Sequence, residues 1–206
     1  PNSTGAAMGH VHLAVKDVDA HKRLLVALGG KPVQNGTLQM IQFPGVFLNL
    51  RQTDSTSGGT VGSNVNHFGF HVRNVAATLA AIAPFGLKVE QNNPQQAFVT
   101  APDEVRIELL QDDALPVPIR MHHIHMFVTS PLEVQAWYGK HFGATAGKRA
   151  QFDTANLPGV ELSFTKQDAA QAATKGRSLD HIGFEVKSLD AMLAQLKAQG
   201  VTTIEA

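Results

Sequence analysis

Alternation of apolar and polar positions opens the first readable segment of the chain. Leu13 and Val15 share one face, and His10, His12 and Ala14 share the other, the period-two pattern of a half-buried strand. The pattern returns where Phe70 and Val72 oppose His67, Gly69 and His71. After each such segment, apolar residues at three-to-four spacing predict helices over Asp19–Leu28, Val75–Ala83, Leu132–His141 and Leu189–Ala198. A glycine stands at the end of each: Gly29, Gly86, Gly143 and Gly200. Asn35-Gly36 predicts a tight hairpin turn, and Val46 to Arg51 a strand. One unit therefore reads β-α-β-β-β.

The unit repeats. Asn66-His67-Phe68-Gly69-Phe70-His71-Val72 matches Asp180-His181-Ile182-Gly183-Phe184-Glu185-Val186 at an offset of 114 residues. Met8-Gly9-His10-Val11-His12-Leu13 matches Met121-His122-His123-Ile124-His125-Met126 at an offset of 113, and Pro44-Gly45-Val46 matches Pro158-Gly159-Val160 at 114. Each half is itself doubled, because His10, His67, His123 and His181 all open His-x-x-apolar-x-Val, at spacings of 57, 56 and 58. Four modules are expected, paired within each half: residues 8–114 as a first domain of modules one and two, and residues 119–206 as a second of modules three and four. The seam falls near Leu115-Pro116-Val117-Pro118.

In the last strand of module two, Ile107 and Leu109 face the helix side and Glu108 faces the same side as His67. Asn49 and Ser163 hold the corresponding place in modules one and three. Module arithmetic puts the fourth copy past Ala206. Val201 to Ala206 is expected to begin the next strand, with the native chain continuing or with a second copy pairing on the open edge as a homodimer.

Composition narrows the partners. The 206 residues are 43% hydrophobic and 17% charged, so the chain can bury a core. Lys+Arg and Asp+Glu are both 17, which argues against a nucleic-acid groove. No apolar run approaches the roughly 18 residues of a membrane span. The absence of cysteine removes disulfides, thiolate ligands and a cysteine nucleophile. A chain that begins Pro1 fits removal of a leader, and the compartment stays open between export and the cytoplasm.

A β-α-β-β-β module that opens His-x-x-apolar-x-Val and closes apolar-Glu-Leu resembles the vicinal oxygen chelate superfamily of glyoxalase I, extradiol dioxygenases, bleomycin-resistance proteins and epimerases. The resemblance covers Met8 to Ala206. It implies an α+β fold of four modules paired into two open, cup-shaped mixed sheets, the fourth module incomplete. It also implies a divalent metal (Fe, Mn or Zn) in the cup and a small-molecule substrate. Carried over by position, the metal ligands are His10, His67 and Glu108 in the amino half, with Asn49 in the same cup, and His123 and His181 in the carboxyl half. Two histidines, one carboxylate and open positions resemble the extradiol dioxygenases and suit Fe(II). A metal-dependent lyase or isomerase of glyoxalase type and a bleomycin-resistance-like binding protein are the alternatives.

His12, His71 and His125 share faces with those ligands and are candidates for acid/base work. His122 is expected on the opposite face of its strand, and His21 and His141 on solvent-side helix positions. Trp137 and Tyr138 are read as helix-packing aromatics. Thr53 to Asn64, rich in Gly, Ser and Thr, is read as a flexible link between modules.

Overall fold

The structure is a computed structural model that describes residue 2 and residues 4–204. Module one is β1 (Ala7–Val15), α1 (Val18–Ala27), β2 (Lys31–Asn35), β3 (Leu38–Phe43) and β4 (Val46–Gln52). Module two is β5 (Val65–Val72), α2 (Val75–Ile82), β6 (Lys88–Asn93), β7 (Gln96–Ala101) and β8 (Val105–Gln111). Module three is β9 (Ile119–Val128), α3 (Pro131–Phe142), β10 (Thr145–Arg149), β11 (Phe152–Leu157) and β12 (Val160–Lys166). Module four contributes β13 (Leu179–Glu185) and α4 (Leu189–Ala198). Residues 201–204 form no strand, and Glu205 and Ala206, the rest of the expected next strand, lie outside the described residues.

Helix starts follow local chemistry. The side chains of Asp17, Asn74 and Ser188 accept hydrogen bonds from the backbone N–H groups of Ala20, Ala77 and Ala191, satisfying donors that a first turn leaves free. The hairpin turn between β2 and β3 is Gly36-Thr37, one residue later than the sequence pattern suggests, because Asn35 still pairs with Leu38.

Two open sheets result. One has the order β13-β1-β4-β3-β2, and the other β10-β11-β12-β9-β5-β8-β7-β6. Within modules, β1 runs parallel to β4, β5 to β8 and β9 to β12. Between modules, β5 pairs antiparallel with β9, and β1 with β13.

This corrects the expected pairing. Modules two and three share the eight-stranded sheet, while one and four share the five-stranded sheet. An offset of 114 residues cannot distinguish the two arrangements, since both keep the copies equivalent. The connectors decide. Asp112–Pro118 is short and stays within one sheet, whereas the 12 residues Thr53–Asn64 pass from one sheet to the other. The halves 8–114 and 119–206 are thus each divided between both sheets.

The sheets are tied at the repeated Pro-Gly turns. Pro44, before β4, accepts a hydrogen bond from the backbone of Met121 on β9 at 3.0 Å, and Pro158, before β12, accepts one from Met8 on β1 at 2.8 Å. Gly45 and Gly159 meet there with φ of 90° and 87°, a conformation that favours glycine. Phe43 of one sheet packs on Phe70 of the other, ring centroids 4.7 Å apart, in a single continuous core. Tyr138 stacks over Phe164 beneath α3, as the helix-packing reading expects, whereas Trp137 is 41% exposed.

Because fragment 1–114 leaves β1 and β5, and fragment 119–206 leaves β9 and β13, without their cross-module partners, the two expressed singly should show no cooperative thermal transition. Co-expression should restore one. Circular dichroism melts of the three samples check this, and a cooperative melt of either lone fragment would refute the seam's importance.

Candidate metal centre

Strand alternation aims the donors. On β5, Phe68, Phe70 and Val72 are fully buried in the core, which turns His67 and Gly69 to the cup. On β8, Ile107 and Leu109 enter the core, and Glu108 between them faces the cup. Gly69 lies between Glu108 on β8 and His123 on β9 in the strand register. A Cβ on Gly69 would come within 2.2 Å of His123 Cε1, so the imidazole lies over that glycine.

Four buried side chains converge: ligand atoms of His67, Glu108, His123 and His125 all lie within 4.8 Å of one another. His67 Nε2 and His123 Nε2 are each 3.0 Å from the same oxygen, Glu108 Oε2. His67 Nδ1 lies 2.9 Å from the Asn66 amide oxygen and its Nε2 is hydrogen-bonded to Glu108 Oε2; with a cation bound, Asn66 would keep the proton on Nδ1 and leave Nε2 to the ion. His123 Nε2 is close but off-axis, and makes no hydrogen bond. The other carboxylate oxygen accepts from the Gln96 amide. Burial pushes the Glu108 carboxyl upward, but its contacts with His123 and His67 outweigh this and hold it well below the usual carboxylate range. The same groups form a set of one anionic oxygen and two imidazole nitrogens. A divalent cation at their convergence would take the place of the imidazole protons that face Glu108, so the donor set fits such an ion.

His125 donates or accepts at Nε2 with Thr165 Oγ1 at 2.8 Å, and its ring lies 4.8 Å from that of His67. Burial, then His67 and His123, push its pKa down to about 3. The cup here is a cavity of about 390 Å³, walled by Phe98, Phe127, Phe152, Arg106 and Arg149. Ser163, at the place of a fourth ligand, is engaged by Glu161 at 2.7 Å and by Arg149 at 3.0 Å.

A second group forms on the five-stranded sheet from His10 and His12 of β1 and His181 of β13. Gly183 plays the part of Gly69, since a Cβ there would meet His10 Cε1 at 2.1 Å. His181 Nδ1 donates to Asp180 at 2.8 Å, leaving its Nε2 to accept from His10 Nε2 at 3.3 Å. His12 Nε2 and Asn49 Oδ1 are buried without partners. Burial, then His181 and His10, push the His12 pKa down to about 4. Among the described residues no carboxylate joins this group.

Several expectations change. His10 does not meet His67 and Glu108, because β1 belongs to the other sheet; His123 takes that place, and Asn49 sits beside His12. His71 joins neither group. It stacks on His122 with centroids 3.8 Å apart and lies 3.7 Å from Asp112. His122 departs from strand alternation because a β-bulge falls between the Gly69–His123 and Phe70–Met121 pairs. His21 and His141 are buried rather than solvent-facing, His21 beside Asp103 at 3.1 Å and His141 against Gln199. The sequence did carry a usable signal: His-x-His marks β1 and β9, and Asn-His or Asp-His marks β5 and β13. Each group takes one strand of each kind.

The fold is glyoxalase-like, and residues 120–206 match the model of the Glyoxalase/Bleomycin resistance protein/Dioxygenase superfamily. Among solved structures, glyoxalase I from Zea mays superposes with a TM-score of 0.74 at 15% identity, over 94% of this chain and 79% of that one. A point mutant of the same enzyme reaches 0.76 at 14% identity, over 94% and 80%. A candidate dioxygenase from Bacillus subtilis gives 0.66 at 13% identity, over 97% and 76%. At these identities the likeness is one of fold. No curated protein sequence matches the chain significantly.

The lowered histidines predict a pH dependence of stability. Unfolded histidines titrate near 6.5, whereas folded His12, His122 and His125 do so at about 4, 3 and 3. Below pH 6.5 the unfolded chain gains protons that the folded chain refuses, so this stabilisation is present above pH 6.5 and is lost as pH falls toward 3–4. The Tm of metal-free protein should decline steadily from pH 7 to pH 4, and His125→Gln should flatten the decline. Scanning calorimetry across that range measures both.

Proposed function

We propose that the chain is a divalent-metal-dependent enzyme whose working site is the His67–Glu108–His123 cup, acting on a small substrate with vicinal oxygens. The observation that carries this reading is the approach of two buried imidazole nitrogens to one buried carboxylate oxygen at 3.0 Å each. His67, Glu108 and His123 would hold the ion, and Fe, Mn and Zn are all compatible with the donors. When bound, the ion supplies Lewis acidity toward the substrate's adjacent oxygens and, as Fe(II) or Mn(II), access to dioxygen chemistry.

Extradiol-type cleavage of a catechol is the favoured reaction, because two histidines and one carboxylate leave coordination positions free, and Ser163 is held elsewhere by Glu161 and Arg149. The chain's own groups do the rest. Phe98, Phe127 and Phe152 shield the cup from water and offer apolar walls to a ring. Arg106 and Arg149 add positive charge that favours a deprotonated substrate oxygen. His125 faces the cup from beside His67 and takes or returns the substrate proton.

The His10–His12–His181 group supports a second, weaker metal site. Its His12 Nε2 and Asn49 Oδ1 are buried without partners, a lack that a bound cation would satisfy, and imidazoles alone suit Zn best among the three ions.

Elemental analysis after chelator-free purification, with oxygen uptake on a panel of catechols, tests the main reading. Glu108→Ala should weaken metal binding by about 100-fold or more while the metal-free protein still melts cooperatively. Metal content unaffected by that substitution would move the working site to the three-histidine group. Turnover without oxygen uptake would replace the dioxygenase with a lyase or isomerase, and ligand binding that survives chelation with no turnover would leave a binding protein. His125→Asn should lower kcat by about 10²–10⁴-fold at full metal content; an undiminished kcat would remove His125 from the chemistry.

A further inference from the structure

The bulge in β9 does more than interrupt a ladder. Gly69 pairs with His123 and Phe70 with Met121, so His122 is the extra residue, swung beside its neighbour instead of across the sheet. Its Nδ1 lies 2.9 Å from His123 Nδ1. The His122 ring is itself fixed by stacking on His71, 3.8 Å away and inclined by 20°. His123 is thereby bounded on three sides: by His122 at Nδ1, by Gly69 beneath the ring and by Glu108 near Nε2.

One hydrogen joins the two Nδ1 atoms, and its owner determines what His123 can do. Suppose His122 donates. Neutral His123 then carries its proton on Nε2, where it makes no hydrogen bond although Glu108 Oε2 is 3.0 Å away. That proton would occupy the lone pair a cation needs, so this tautomer could not ligate through Nε2. Suppose instead His123 donates. Its Nδ1–H is then satisfied and its Nε2 is a bare lone pair.

We infer that His122 is a positioning residue: its Nδ1 accepts the Nδ1–H of His123 and so selects the tautomer whose Nε2 can hold a divalent cation. This rests on the metal-site reading above, and assigns to His122 for His123 the part that Asn66 plays for His67.

The other sheet shows that the device is local. Its β1 strand bulges at the equivalent place, between the Met8–Phe184 and His10–Gly183 pairs, but the bulged residue is Gly9. A Cβ on Gly9 would sit 3.0 Å from the backbone of Gly183 and Glu185, so no side chain fits there without displacement. His10 therefore has no counterpart of His122.

The test reads the tautomer directly. Metal-free protein labelled with ¹⁵N-histidine, examined by long-range proton–nitrogen correlation, should show His123 protonated at Nδ1. His122→Leu should shift that proton toward Nε2 and weaken Zn(II) or Co(II) binding, measured by chelator competition, by about 10–100-fold. His122→Asn, whose amide oxygen can accept the same hydrogen, should restore affinity to within a few-fold. Thermal melts confirm that the variants fold, and the wild-type spectrum decides the tautomer even where one does not. A wild-type His123 protonated at Nε2, or a folded His122→Leu protein with unchanged tautomer and affinity, overturns the role of His122. Wild-type protein that shows the expected tautomer yet takes up no Zn(II) or Co(II) overturns the metal reading instead.

Discussion

The antiparallel seam between β5 and β9 is the constraint on which both fold and site depend. It joins modules two and three into the eight-stranded sheet and places Gly69 opposite His123. A one-residue slip would turn every side chain of β9 to the other face, sending His123 and His125 into the core and Ile124 into the cup. The core opposes such a slip, because Ile124, Phe68 and Phe70 are all fully buried against it. The same burial that stabilises the sheet thus holds the donors in register.

Much of this architecture was legible in the sequence. The four histidine-led strands and four helices follow from periodicity, and the cup-facing position of Glu108 follows from its place between Ile107 and Leu109. Pairing of modules was not legible, since an internal duplication gives identical offsets for neighbouring and for cyclic partners. That ambiguity alone misassigned His10 to the site of His67 and Glu108. His122 was misjudged for a different reason: a bulge adds one residue to a strand, and alternation read past it inverts. His21 was missed because its partner, Asp103, is 82 residues away and leaves no local signature.

The two histidine groups show how near-equal local sequences yield unequal sites. Both use a histidine of β9 or β1 over a glycine and a histidine of β5 or β13 oriented by the residue before it, Asn66 or Asp180. Among the described residues, a strand lies on the far side of that second histidine in the eight-stranded sheet, where β8 brings Glu108 with it. A buried carboxylate raises the charge available to a cation and also raises the cost of leaving the site without one. Among the described residues no carboxylate joins the three-histidine group. Its histidines range from half-buried to exposed, and the His10–His181 hydrogen bond satisfies part of it internally.

This difference links binding to stability. Ligands of the main cup come from β5, β8 and β9, so an ion there clamps strands of two modules across the seam. An ion that binds only the folded chain stabilises it by RT ln(1 + [L]/Kd), which reaches about 2.7 kcal/mol at 100 times Kd. The cost of holding Glu108 ionised in the core is borne by the metal-free fold, and a bound cation would relieve it at the strands that hold the sheet together. A site built on the seam is therefore poised to couple occupancy to the integrity of the eight-stranded sheet, whereas the second group, drawn from β1 and β13 alone, bridges a single strand pair.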